Sequence, residues 1–101
     1  MKYDIFLANV VFEDNTNQSK VRPIVELANG NNLIIGAKIT SHAPRADFKD
    51  EYQIVDYYGT GLITKSTIRL SKIINIPNTS IIKKLGKLSK TDIQNLNKLG
   101  Y

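Results

Sequence analysis

The segment "RPIVELANGNNLIIGAKIT", residues 22–40, constrains the fold of this chain more than any other. Asn29 and Gly30 open a tight-turn signal, because both residue types accept the positive φ that hairpin turns require, and apolar, largely β-branched runs flank them on each side. Residues 22–28 and 33–40 therefore read as two strands of an antiparallel hairpin. Pro23, which has no N–H to give a ladder, marks the mouth of the first strand. In such a hairpin the start of the first strand lies beside the end of the second, so Arg22 and Thr40 are expected as neighbours at one rim of the sheet. An arginine held there by a stiff neighbour is either a solvated loop charge or a cation aimed at an anion.

Other segments extend the pattern. "DIFLANVVF" (4–12) is dense in β-branched and aromatic residues and reads as a strand, followed by the polar loop "EDNTNQSK" (13–20). After the hairpin come a polar loop "SHAPRADFKD", a short strand "EYQIVD", and a turn "YYGTG" that carries Tyr57 and Tyr58. In "STIRLSKIINI" (66–76), Ile68, Leu70, Ile74 and Ile76 alternate with polar residues, which predicts a long strand that Pro77 ends. The tail changes period. Ser80 caps a short turn "IIKKL" with Gly86 behind it, and "SKTDIQNLNKLG" opens with Ser89 and Asp92 in capping-box spacing. Ile93, Leu96 and Leu99 then recur at helical spacing as a predicted packing stripe, closed by Gly100. The expected fold is mainly β with a C-terminal helix, an α+β chain built as a small, strongly bent sheet or barrel in one domain spanning 1–101.

At 101 residues there is room for one core. No run approaches the ~18 apolar residues of a membrane span, and the opening residues lack a small-residue cleavage site, so a soluble, unexported protein without a membrane partner is expected. The chain has no Cys and one His, which rules out a disulfide framework and leaves too few ligands for a structural zinc site. The formal charge of +5 is unevenly spread. Residues 1–59 carry six Lys/Arg against eight Asp/Glu, whereas residues 60–101 carry eight against the single Asp92. A polycationic half is either a solvated basic surface or a face for phosphates or an acidic peptide.

The inventory excludes most catalytic plans. The carboxylates are scattered, with adjacent pairs only at Glu13–Asp14 and Asp50–Glu51, which disfavours a two-metal site. A hydrolytic triad would have to use His42, and "GNNLIIG" and "GTG" match no nucleotide-binding fingerprint. No metal or cofactor is expected. What survives is an anion-handling cluster at the hairpin rim: Arg22, Thr40, Ser41 and His42, with Lys20 nearby. The guanidinium fork fits a phosphate bidentately, hydroxyls donate to the same oxygens, and histidine is the side-chain type that titrates nearest neutrality. Such a set suits RNA cleavage without a metal, because the ribose 2′-hydroxyl supplies the nucleophile and the protein need only stabilise charge and assist proton transfer. Each residue also has a plainer reading: Arg22 as a paired loop cation, Thr40 as a strand residue, Ser41 as a strand stop, His42 as a surface histidine. Arg69 either contacts RNA or lines the sheet exterior, and the two tyrosines either stack on bases or pack against the turn.

"DIFLANVVFED…SKVRPIVEL", then "AKITSH", "GTGLITKSTIRLSKIINI" and "IIKKLGKLSKTDI" together resemble the MazF/PemK-like toxins of bacterial toxin–antitoxin modules, in the right order over nearly the whole chain. The resemblance implies an SH3-like barrel of the CcdB/MazF type with a C-terminal helix, a homodimer, and metal-independent, sequence-specific cleavage of single-stranded RNA in the bacterial cytoplasm. It places the catalytic Arg on Arg22 and a catalytic Thr on Thr40. Ser41 and His42 are supporting candidates, and Lys20, Arg69 and Ser66 are candidates for RNA contact. It also implies a cognate antitoxin whose acidic C-terminal segment covers the RNA groove. Two departures stand out: Tyr3 occupies a position where many members have Gly, and His42 is not general to the family. Alternatives of other classes are a CcdB-like toxin that binds gyrase without catalysis, and a non-toxic RNA- or protein-binding barrel.

Overall fold

The computed structural model describes residues 1–12, 15–43 and 50–101; at 11, 12 and 15–19 only the backbone is described. Among the described residues, β1 (Asp4–Phe12), β2 (Asn15–Gly30), β3 (Leu33–Thr40), β4 (Glu51–Gln53), β5 (Thr67–Pro77) and β6 (Ile81–Lys87) precede one helix, α1 (Lys90–Lys98). All strand pairs are antiparallel, and the sheet order is β4-β5-β3-β2-β1-β6. The mainly-β, small-barrel expectation with a C-terminal helix is met.

The apolar run in β2 explains why the sheet curls. Ile24 and Val25 are adjacent, so they point to opposite faces, yet both are fully buried, and they belong to two separate apolar clusters. One cluster joins Ile5, Val25, Ile39, Ile68 and Leu70 to Leu96 of α1. The other gathers Ala8, Val10, Ile24, Ile34 and Ile76. Each fully buried isoleucine contributes about 1.5–3 kcal/mol relative to exposure, so a sheet that covers both faces of its central strand gains from both. Register shifts in four of the five strand pairings mark the irregularities at which twist and bend accumulate.

The connection between β4 and β5 reaches across to β6, at the far end of the sheet order. Lys87 donates its amide to the Gly59 carbonyl at 2.9 Å. Glycine is required on both sides of this junction. A Cβ on Gly86 would overlap the carbonyl of Gly59, and one on Gly61, which has φ +74°, would overlap the carbonyl of Leu85. The helix is tied to the same region. Ser89 caps it by accepting the Asp92 amide at 3.4 Å. The fully buried Asp92 carboxylate accepts from Tyr52 Oη at 2.5 Å, from the amides of Val55 and Asp56 at 2.9 and 3.0 Å, and from Ser89 Oγ at 3.0 Å.

Several expectations need correction. Glu13 and Asp14 lie outside the described residues, but Asn15–Lys20 is the first part of β2 and pairs with β1 down to Phe12 opposite Asn15. Its polar composition suggested a loop, whereas a ladder partner satisfies its backbone without requiring a buried face. "IIKKL" is not a capped turn. A 3-10 turn at Asn78–Ser80 leads into β6, where Ile81 and Leu85 are half-buried while Lys83 and Lys84 face solvent. The strand expected over 51–56 is regular only for Glu51–Gln53, since the amides of Val55 and Asp56 go to Asp92 instead. Leu99 is 56% exposed, so the packing stripe of the helix stops at Leu96. Residues 44–49 of the expected polar loop lie outside the described residues.

Candidate active site

Antiparallel pairing of β2 with β3 runs to Ile24 opposite Lys38. Two residues further on, the same register sets Arg22 level with Thr40, and both side chains line one open pocket of about 260 Å³. Pro23 and Ser41 belong to the same wall. On its other side Thr40 pairs with Thr67 of β5, so the threonine sits between two strands and not at a free edge. Thr40 Oγ1 accepts the His42 amide at 3.3 Å, and the His42 carbonyl accepts from Thr67 Oγ1 at 2.6 Å. These bonds turn the chain sharply after β3. They hold the His42 backbone, while its side chain is exposed and is not among the groups lining the pocket.

The loop between β4 and β5 lines the rest of the pocket through Gly61, Leu62, Ile63, Thr64 and Ser66, together with Ile39 of β3 and Leu85 of β6. Its shape is set by its own hydrogen bonds. Tyr57 Oη accepts the Ser66 amide at 2.6 Å, and Thr60 Oγ1 donates to the Tyr57 carbonyl at 2.7 Å while accepting the Leu62 amide at 3.1 Å. Ser66 Oγ donates to the Thr64 carbonyl at 2.8 Å, so its proton is committed within the loop. The two tyrosines thus part company. Tyr57 is half-buried and braces the loop, whereas Tyr58 is 89% exposed.

The structure brings Arg22, Thr40, Ser41 and Ser66 together and leaves three other candidates outside the pocket. Lys20 is exposed on β2 opposite Val10 and, two residues from Arg22, shares its face. Arg69 pairs in register with Glu51, and its Nε lies 3.2 Å from Glu51 Oε2, an ion pair that straps β4 to β5. His42 stands beyond the rim. Sequence reasoning missed the roles of Thr60, Gly61 and Leu85. "YYGTG" signals a turn, but nothing local to it shows that the turn docks on a strand more than twenty residues later.

Among the described residues, no three of His, Cys, Asp and Glu gather where they could hold a metal ion. The pocket instead presents one guanidinium, hydroxyls and backbone, a set that suits a phosphate. A family model described as PemK-like, MazF-like toxin of type II toxin–antitoxin system matches residues 1–99. The chain belongs to this family. No curated protein matches it. As a type II toxin it has an antitoxin as its implied partner. The toxin's Lys-rich half includes Lys83, Lys84 and Lys87 on β6, all exposed, and Lys84 Nζ lies 3.4 Å from Asp4 Oδ2. No described helix is long and apolar enough to cross a membrane.

Proposed function

We propose that this toxin is an endoribonuclease that cuts single-stranded RNA, chiefly mRNA, at a preferred sequence and so halts translation. The observation that carries this reading is the meeting of Arg22 and Thr40 in one open pocket. The ribose 2′-hydroxyl attacks the adjacent phosphate, the bond to the 5′-oxygen breaks, and the products are a 2′,3′-cyclic phosphate and a 5′-hydroxyl. Arg22 stabilises the extra negative charge of the phosphorane, and donors aimed at such charge are worth about 10²–10³ in rate. Thr40 and Ser41 orient the phosphate from the same wall. His42 has a supporting part in proton transfer, Lys20 on the Arg22 face contacts the RNA backbone, and Ser66 and Arg69 hold the surrounding structure.

Because RNA supplies its own nucleophile, the reaction is metal-independent. The toxin acts as a homodimer in the bacterial cytoplasm, and an antitoxin with an acidic C-terminal segment neutralises it by covering the basic face. The test uses purified protein in EDTA with a long unstructured RNA. The reading requires discrete cuts ending in cyclic phosphate, and no cut where a single 2′-deoxynucleotide replaces the attacking residue. Cleavage that persists at the 2′-deoxy position would refute the mechanism, and RNA left intact would refute the activity.

A further inference from the structure

Among the described large apolar side chains Ile63 is the most exposed, at 97%, and it lines the same pocket as Arg22 and Thr40. A lone exposed isoleucine is ordinary on a protein surface. Two features set this one apart. It lines, with Leu62 and Leu85, the same pocket that presents Arg22, Thr40 and Ser41, and the loop that carries it has little freedom to fold it away. Tyr57 and Thr60 brace that loop through hydrogen bonds at both ends, and Gly61 lies against the Leu85 carbonyl with no room for a Cβ. Ile63 is therefore held out in water beside the place where the phosphate is proposed to sit.

The geometry points to Ile63 as a specificity-determining residue, whose side chain packs against the nucleobase flanking the phosphate seated between Arg22 and Thr40. This inference rests on the RNA cleavage proposed above and adds which wall of the pocket meets the base. A phosphate bound as part of a strand brings its nucleosides with it. With Arg22, Thr40 and Ser41 on one wall, the wall of residues 61–64 is left for sugar and base. Isoleucine has no polar atom to read a base edge, so it selects by shape and by excluding water from the base face, with Thr64 beside it as the nearest side-chain hydroxyl on that wall. A flat nucleobase can lie against the apolar lining of Leu62 and Ile63 while its phosphate meets Arg22, which favours the base as occupant.

The test is cleavage of a randomised RNA pool in EDTA by wild type, Ile63→Ala and Ile63→Thr, with fragment ends sequenced and folding checked by circular dichroism. An apolar contact of this size discriminates by roughly tenfold, so both variants should lose about that much preference between favoured and disfavoured bases at one nucleotide next to the cut. An unchanged preference at every position, in variants that fold and cut, would overturn the inference and leave Ile63 to a protein partner. RNA left intact by wild type would instead overturn the nuclease reading, and this inference with it.

Discussion

Thr40 and Asp92 show how differently two polar residues are used in this toxin. Thr40 lines an open pocket with Arg22 while its Oγ1 accepts the His42 amide and keeps its own proton to donate, so Thr40→Val should preserve folding and lower cleavage about tenfold, whereas His42→Ala, outside the pocket, should cost less; initial rates on one defined RNA check both. Asp92 faces inward, and its carboxylate accepts from four donors: the Tyr52 and Ser89 hydroxyls and the Val55 and Asp56 amides. Burial of the Tyr52 phenol and its hydrogen bond to Asp92 push the Tyr52 pKa up to about 12. A raised folded-state pKa means that the folded form holds its proton more tightly than the unfolded chain. This contribution to stability is therefore fully present below the unfolded tyrosine value of about 10 and is lost as pH rises through about 12. Urea midpoints measured across that range should fall with pH in wild type, and the fall should be shallower in Tyr52→Phe.

At the level of elements, the site is made by two contacts of different legibility. The hairpin of β2 and β3 is written locally in part: the Asn-Gly-Asn-Asn run marks the turn, which falls on Asn31-Asn32 with Asn32 at φ +60°, but Arg22 comes level with Thr40 and not Ser41 only because the register shifts by one residue between Glu26 and Ala28. β1 and β3 have the bounds their composition indicates, since β-branched runs end where polar residues begin. β6 reads as a turn in the sequence because Lys83 and Lys84 break its apolar pattern, and an edge strand tolerates exposed lysines that a central one would not. The docking of the β4–β5 loop on β6 depends on Gly61 and Gly86, whose need for close approach becomes visible only when both chain segments are in place. Gly86→Ala should therefore cost about 1–3 kcal/mol in a denaturant titration and reduce cleavage as well, by displacing the pocket wall. The exposed Gly30, where an added Cβ would meet only the Leu33 side chain at 3.6 Å, serves as the comparison for the packing effect.

For the whole molecule, the uneven charge gives the account its electrostatic side. Eight Lys/Arg against one Asp over residues 60–101 set a positive field around a fold whose pocket carries Arg22. Binding of a 2′-deoxy-substituted, uncleavable RNA should weaken steeply with salt, with log K falling at about 0.7 per phosphate neutralised, while a CcdB-like role would show no such RNA binding; fluorescence anisotropy at several salt concentrations measures the slope. The role of Arg22 is decided by comparing wild type with Arg22→Ala on a long unstructured RNA in EDTA, with fragment ends mapped and both proteins shown to be folded. Discrete cuts at a recurring short sequence, reduced at least about 10²-fold in the variant, are the predicted result. Equal cleavage by the two proteins would contradict the assignment of the pocket.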